Sequence, residues 1–148
     1  MSIDASVKTS CRVPERRHAR GLIDTSVVIE LEQFDASQLP AESTVSAVTL
    51  AELAAGPHAT ADAAERARRQ ERLQRTEATL EPLPVDGAVA RAYGRIYAAV
   101  AASGRRARGR RAFDLLIAAT ALAHGLPLYT RNPSDFAGLG ELIEVVSI

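Results

Sequence analysis

The chain has no tryptophan, three tyrosines, three phenylalanines, a single cysteine and a single lysine, Lys8. So few rings exclude a row of aromatic base-stacking platforms of the kind that carries single-stranded nucleic acid. They also leave the core to Leu, Ile, Val and Ala. The lone Cys11 excludes an internal disulfide and a cysteine-based zinc cage. No stretch approaches the ~18 consecutive apolar residues of a membrane span, and the N-terminus lacks the apolar segment of a secretory signal. The expectation is a cytoplasmic protein without membrane association. Glycine patterns of the G-x-G-x-x-G or P-loop kind are missing, which makes a nucleotide cofactor a poor reading. "DTS" at Asp24 lacks the second Asp of an aspartyl-phosphate pattern. A receiver-like phospho-acceptor would need a lysine after a late strand, and there is none.

What is present suits one folded domain: 148 residues, 47% of them hydrophobic. Eighteen basic and eighteen acidic residues give a formal net charge of +0. Neutrality argues against strong sequence-blind nucleic-acid binding but leaves room for a local basic path. Nearly all the cations are Arg, whose planar fork suits bidentate phosphate contacts.

Residues 1–20 are polar and end in "RVPERRHAR", which predicts a flexible extension ahead of a domain over 21–148. "GLID" reads as a short buried strand, and "TSVVIELEQF" as a helix with Thr25 or Ser26 near its cap. "STVSAV" is a second strand leading into the helix "TLAELAAGP", stopped by Gly56 and Pro57. Residues 61–78 read as a solvated helix, "ATLEPLPVD" carries a third strand, and "GAVARAYGRIYAAVAA" has helical spacing. After the loop "SGRRARGRR", "FDLLIAATALAHG" is apolar on nearly every face and therefore central. "LPLYT" and "LIEVVSI" supply the last two strands. Alternating strands and helices predict an α/β fold whose mostly parallel sheet is covered on both faces. In such sheets, sites form beyond the carboxyl ends of the strands.

Four acids stand at such places. Asp24 closes the first strand, Glu52 lies in the helix after the second, Asp114 begins the central helix, and Asp135 follows the fourth strand. Each also has a structural reading. Thr49-x-x-Glu52 matches a capping box, Asp114 can cap its helix, and Asn132-Pro133-Ser134-Asp135 reads as cap, N1 proline, N2 and N3. Asp24 resists such a reading, because an unpaired carboxylate after an apolar strand is costly to bury. If the four converge, mutual repulsion raises their pKa values unless a cation intervenes. Carboxylates without His or Cys select a hard ion, Mg²⁺ or Mn²⁺. Such an ion suits phosphodiester chemistry.

"GLIDTSVVIEL", "SAVTLAEL", "FDLLIAATAL" and "LYTRNPSDF", in this order, resemble the PIN-domain family, and within it the VapC-like toxins of type II toxin–antitoxin modules. The resemblance runs from about Gly21 to the end. It implies a three-layer α/β/α domain, dimeric, acting as a Mg²⁺-dependent endoribonuclease (with Mn²⁺ able to substitute) and silenced by a cognate VapB-like antitoxin. It makes Asp24 and Asp114 metal ligands and Glu52 a ligand directly or through water. Thr25 or Ser26, and Thr130, become hydroxyls supporting the metal and its waters. Many members carry Asp directly after the fourth strand, where this chain has Asn132. Asp135 is then the fourth acid, with Asn132 in support. Arg108, Arg110 and Arg111 are candidates for RNA phosphate. Arg131 is either another phosphate contact or the partner of a nearby acid. The alternative to a nuclease is a PIN-like module that binds RNA or a partner protein without turnover. His124, ahead of Gly125, reads as a favourable charge at a helix C-terminus.

Overall fold

Strand β1 (Arg20–Ile23) is the middle of five. In a computed structural model describing residues 18–105 and 110–148, the sheet runs β3-β2-β1-β4-β5. The other strands are β2 (Glu42–Ser46), β3 (Pro82–Leu83), β4 (Leu128–Thr130) and β5 (Val145–Ser147). Every pairing is parallel, so the mostly parallel sheet that was expected is wholly parallel here. Leu22 pairs with Leu128 and Ile23 with Tyr129, which brings the ends of β1 and β4 together. The chain order reverses between these two strands, and a parallel sheet opens a crevice at such a point.

Side chains alternate across a strand, and the core divides accordingly. Leu22 and Leu128 face helices α4 (Gly87–Ala102) and α5 (Arg110–His124) in one aliphatic cluster with Ile96, Leu115 and Ile117. Ile23, Val45 and Tyr129 face the other way, against Val27 and Val28 of α1 (Thr25–Ile29), Leu53 of α2 (Ala47–Ala55) and Leu73 of α3 (Ala63–Thr79). These are the three layers that were predicted.

Several boundaries differ from expectation for local reasons. Helix α1 ends at Ile29 instead of reaching Phe34, and a 3₁₀ turn, Leu31–Gln33, follows. Val27, Val28 and Ile29 are weak helix formers, while Leu31 and Phe34 are drawn onto the core. Helix α5 starts at Arg110, three residues before Phe113, because Arg and Ala extend a helix readily. Asp114 therefore lies in the second turn and does not cap the helix. Helix α2 is capped by Ser46, whose hydroxyl accepts from Val48 N at 3.1 Å. The Thr49–Glu52 capping box is thus overturned, and Thr49 is buried inside the helix.

Residues 18–20, assigned to the extension, belong to the domain, whereas residues 1–17 lie outside the described residues. Arg20 opens β1, the His18 carbonyl accepts from Ala41 N at 2.8 Å, and His18 Nδ1 lies 2.7 Å from Tyr129 Oη. Tyr129 reaches across β1 only because Gly21 has no side chain. A Cβ there would stand 2.7 Å from Tyr129 Cε2 and 3.0 Å from Pro40 Cγ. Gly21→Ala should therefore destabilise the protein by about 1–3 kcal/mol, the usual range for an overpacked core. Urea titration tests this, and an unchanged midpoint would mean that the ring moves aside freely.

Candidate active site

The first turn of α1 begins where β1 ends, and Asp24 is its N-cap. Its Oδ1 accepts from Val27 N at 3.2 Å, satisfying one of the free amides at the helix start. The residue is 6% exposed. Two hydroxyls reach the same carboxylate. Ser26 Oγ donates to Oδ1 at 2.5 Å, and the Thr130 hydroxyl at the end of β4 bonds it from the neighbouring strand. Both are themselves positioned by the chain leaving β4: Arg131 N donates to Ser26 Oγ at 3.2 Å, and Asn132 N to Thr130 Oγ1 at 2.9 Å. Ser26 and Thr130, expected to support a metal and its waters, here bond the acid itself, and Asp24 is the cap, with Thr25 and Ser26 directly after it.

Thr25 serves a different acid. Its hydroxyl donates to Glu52 Oε1 at 2.8 Å and lies 3.0 Å from Thr49 Oγ1, so α1 orients the carboxylate carried by α2. The start of α2 is tied to α5 by a buried hydroxyl pair, Ser46 Oγ and Thr120 Oγ1, 3.2 Å apart. This link was not expected; both residues read as ordinary small polar members of their elements. Beyond β4, Pro133–Phe136 forms a 3₁₀ turn with Asn132 at its cap position, the arrangement predicted. The Asn132 side chain makes no capping bond. Phe136 anchors this turn in the core, and Asp135 stays on its exposed side.

Asp24, Thr25, Ser26, Ile29, Glu52, Arg111, Asp114, Asn132 and Asp135 line one cleft of about 530 Å³. It brings together all four predicted acids. Arg111 is there too, its Nε buried without a hydrogen-bond partner among the described residues. Thr130 stands behind Asp24 instead of lining the cleft. Arg131 forms an ion pair with Glu30, which resolves the two roles weighed for it toward pairing with an acid. Arg110 opens α5, and Arg108 lies outside the described residues. Ile29 and Glu30 escaped notice because an apolar and an acidic residue on a short helix carry no motif.

The acids do not form a closed cage. Among the described residues, no three acidic, histidine or cysteine side chains stand close enough to hold one ion unaided. Burial, and not the expected repulsion between acids, pushes Asp24 above the ordinary carboxylate value. The hydroxyls of Ser26 and Thr130 and the amides of Val27 and Ser26 pull it part of the way back.

A parallel five-stranded sheet with acids gathered at its switch point defines the class. A family model for the PIN domain matches residues 21–142, and the chain belongs to the PIN-domain family. Two relatives come from Mycobacterium tuberculosis H37Rv. Ribonuclease VapC5 is 42% identical over 124 residues, 82% of this chain and 88% of that protein. Ribonuclease VapC4 is 37% identical over 138 residues, 87% of this chain and 97% of that protein. The crystal structure of VapBC-5, a member of the VapBC family of toxin–antitoxin systems from M. tuberculosis, superposes with a TM-score of 0.77 at 39% identity. That match covers 88% of this chain and 99% of the other.

A carboxyl with a raised folded-state pKa binds protons more readily folded than unfolded. Stability then falls as pH rises from the ordinary aspartate value of 3.8 through the raised value, and stays lower at neutral pH. Asn keeps the cap without the charge. With divalent ions chelated, Asp24→Asn should melt a few degrees higher than the wild type at neutral pH, on a scale of ~2–4 °C per kcal/mol for a larger domain and somewhat more for a smaller one. The gap should close below the ordinary carboxylate range. Equal melting temperatures at neutral pH would show that burial places no strain on this carboxylate.

Proposed function

We propose that the chain is a divalent-metal-dependent endoribonuclease, the toxin of a toxin–antitoxin pair. The observation that carries this reading is the buried Asp24, held by neutral hydroxyls in a cleft whose other acids are Glu52, Asp114 and Asp135. The relatives named as ribonucleases support the substrate class, and the VapBC-5 complex supports an antitoxin partner.

The residues fit Mg²⁺, or Mn²⁺ in its place. The acidic donors are all oxygen, and a buried carboxylate raised by desolvation gains from a nearby cation. An open site suits this ion, which keeps several waters and takes only one or two carboxylates. Asp24 and Asp114 would hold it, with Glu52 and Asp135 acting directly or through water. The ion supplies charge neutralisation at the phosphodiester and a nucleophilic water near neutral pH.

The chain's own part is to orient. Ser26 and Thr130 fix the Asp24 carboxylate, and Thr25 fixes Glu52, which would hold the ion directly or through one of its waters. Asn132, which lines the same cleft, would support the waters of that ion. Arg111 lines the same cleft and would meet the phosphate, where a guanidinium can bind two oxygens at once. Arg108 and Arg110 are further phosphate contacts in the same reading. A cytoplasmic homodimer is part of the same reading; Tyr97 on α4 and Phe113 on α5, each 49% exposed, offer apolar surface for it.

Asp24→Asn or Asp114→Asn should abolish divalent-dependent cleavage of a total-RNA pool, and should relieve growth inhibition on expression. Thr130→Val should cost about 10–100-fold in metal affinity or rate, as loss of an outer partner commonly does. Mg²⁺ should raise the melting temperature of the wild type and not of Asp24→Asn. Cleavage that survives EDTA would falsify the metal-dependent reading. Binding of RNA without any cleavage would leave the binding-module alternative.

A further inference from the structure

Beside the acid cleft lies a second hollow of about 390 Å³, walled by Ser26, Ile29, Glu30, Arg131 and Asn132. Ser26, Ile29 and Asn132 line both spaces, so a strand seated in one passes directly into the other. We propose that this hollow seats the nucleobase adjoining the scissile phosphate, stacked on the Arg131 guanidinium against Ile29. The proposal rests on the ribonuclease reading and names a subsite of that cleft.

Arg131 is built as a platform. Its Nη1 is ion-paired with Glu30, its Cζ lies 5.9 Å from the centre of the Phe34 ring, and its side chain remains 41% exposed. A guanidinium whose charge is already answered adds little at a phosphate. It keeps its flat surface, and Arg planes are seats for unstacked RNA bases. Fixed beforehand by Glu30 and Phe34, it loses little freedom when a base arrives.

Ile29 is 43% exposed. Alone it would signify nothing, but beside Arg131 it supplies the apolar wall that a base edge requires. The spacing to the reaction is set as well. Arg131 N donates to Ser26 Oγ, and Ser26 Oγ donates to Asp24 Oδ1, so two hydrogen bonds join the platform's backbone to the acid at the centre of the cleft.

The test uses the full chain, Arg131→Lys, Arg131→Ala and Ile29→Ala. Lysine keeps the charge and can keep the pair with Glu30, but it has no plane. Each protein is titrated by fluorescence anisotropy in Ca²⁺ with a labelled RNA hexamer, its integrity checked on a gel. A companion set carries one abasic nucleotide at each position in turn. The wild type should bind the complete hexamer about tenfold more tightly than the one abasic at a single defined position, within the range of base stacking. Arg131→Lys and Ile29→Ala should lose most of that preference, bind the abasic hexamer as the wild type does, and keep its salt dependence.

The subsite is overturned if Arg131→Lys keeps the preference while Arg131→Ala weakens every oligomer and flattens the salt dependence, the mark of a phosphate contact. RNA binding unchanged in all three variants also overturns it and leaves the hollow to a protein partner. If the wild type binds no hexamer, the ribonuclease reading itself fails, and the subsite with it.

Discussion

One buried carboxylate organises the structure's working end. Asp24 must satisfy two demands at the same atoms: it caps α1 through Val27 N, and it stands ionisable in the wall of a cleft. The first demand fixes where it is, because the cap follows directly from the end of β1. The second sets what must surround it. Burial opposes its charge, so the neighbouring chain supplies donors: Ser26 from its own helix and Thr130 from the strand alongside. The pairing of β1 with β4 is therefore part of the site as well as of the core. Any shift of that register would separate Thr130 from Asp24 before it exposed an aliphatic side chain.

The rest of the cleft follows from topology. In a parallel sheet ordered β3-β2-β1-β4-β5 the chain order of the strands reverses between β1 and β4. The segments after β1, β2 and β4 consequently open at one end, each carrying an acid. Asp114 comes from a helix, but α5 packs against the sheet face next to β1 and β4 with its apolar surface buried. The single charged residue in "FDLLIAATAL" then has only the cleft end to occupy. Four positions far apart in sequence meet because the fold leaves each of them one polar outlet.

This explains which features were legible in advance. Asp24, Glu52, Asp114 and Asp135 stand out in sequence because each interrupts or borders an apolar run, and the fold brings all four to one cleft. The five strands and the helix Gly87–Ala102 were legible for a similar reason: alternation and helical spacing are properties of short windows. What could not be read were interactions between windows. Thr49 looked like a cap because Thr-x-x-Glu is locally sufficient, yet Ser46 takes that role and Thr49 joins Thr25 instead. The start of α5 was misplaced because Arg and Ala carry no boundary signal. The pairing of Arg131 with Glu30 spans about a hundred residues and leaves no trace in spacing.

The choice of donors around Asp24 also bears on its chemistry. An arginine could have stabilised the buried charge more strongly than two hydroxyls. It would also have neutralised the carboxylate and competed with any cation seeking it. Neutral donors orient the oxygens and recover part of the desolvation cost while leaving the full negative charge in place. Arg131, in the segment that leaves β4, fits that logic. Arg131 contributes only its backbone N–H to the Asp24 network, through Ser26, while its guanidinium is turned to Glu30. The Arg131 charge is thus kept off the central acid by its pairing with Glu30, and Arg111 is the arginine that shares the cleft with the four acids.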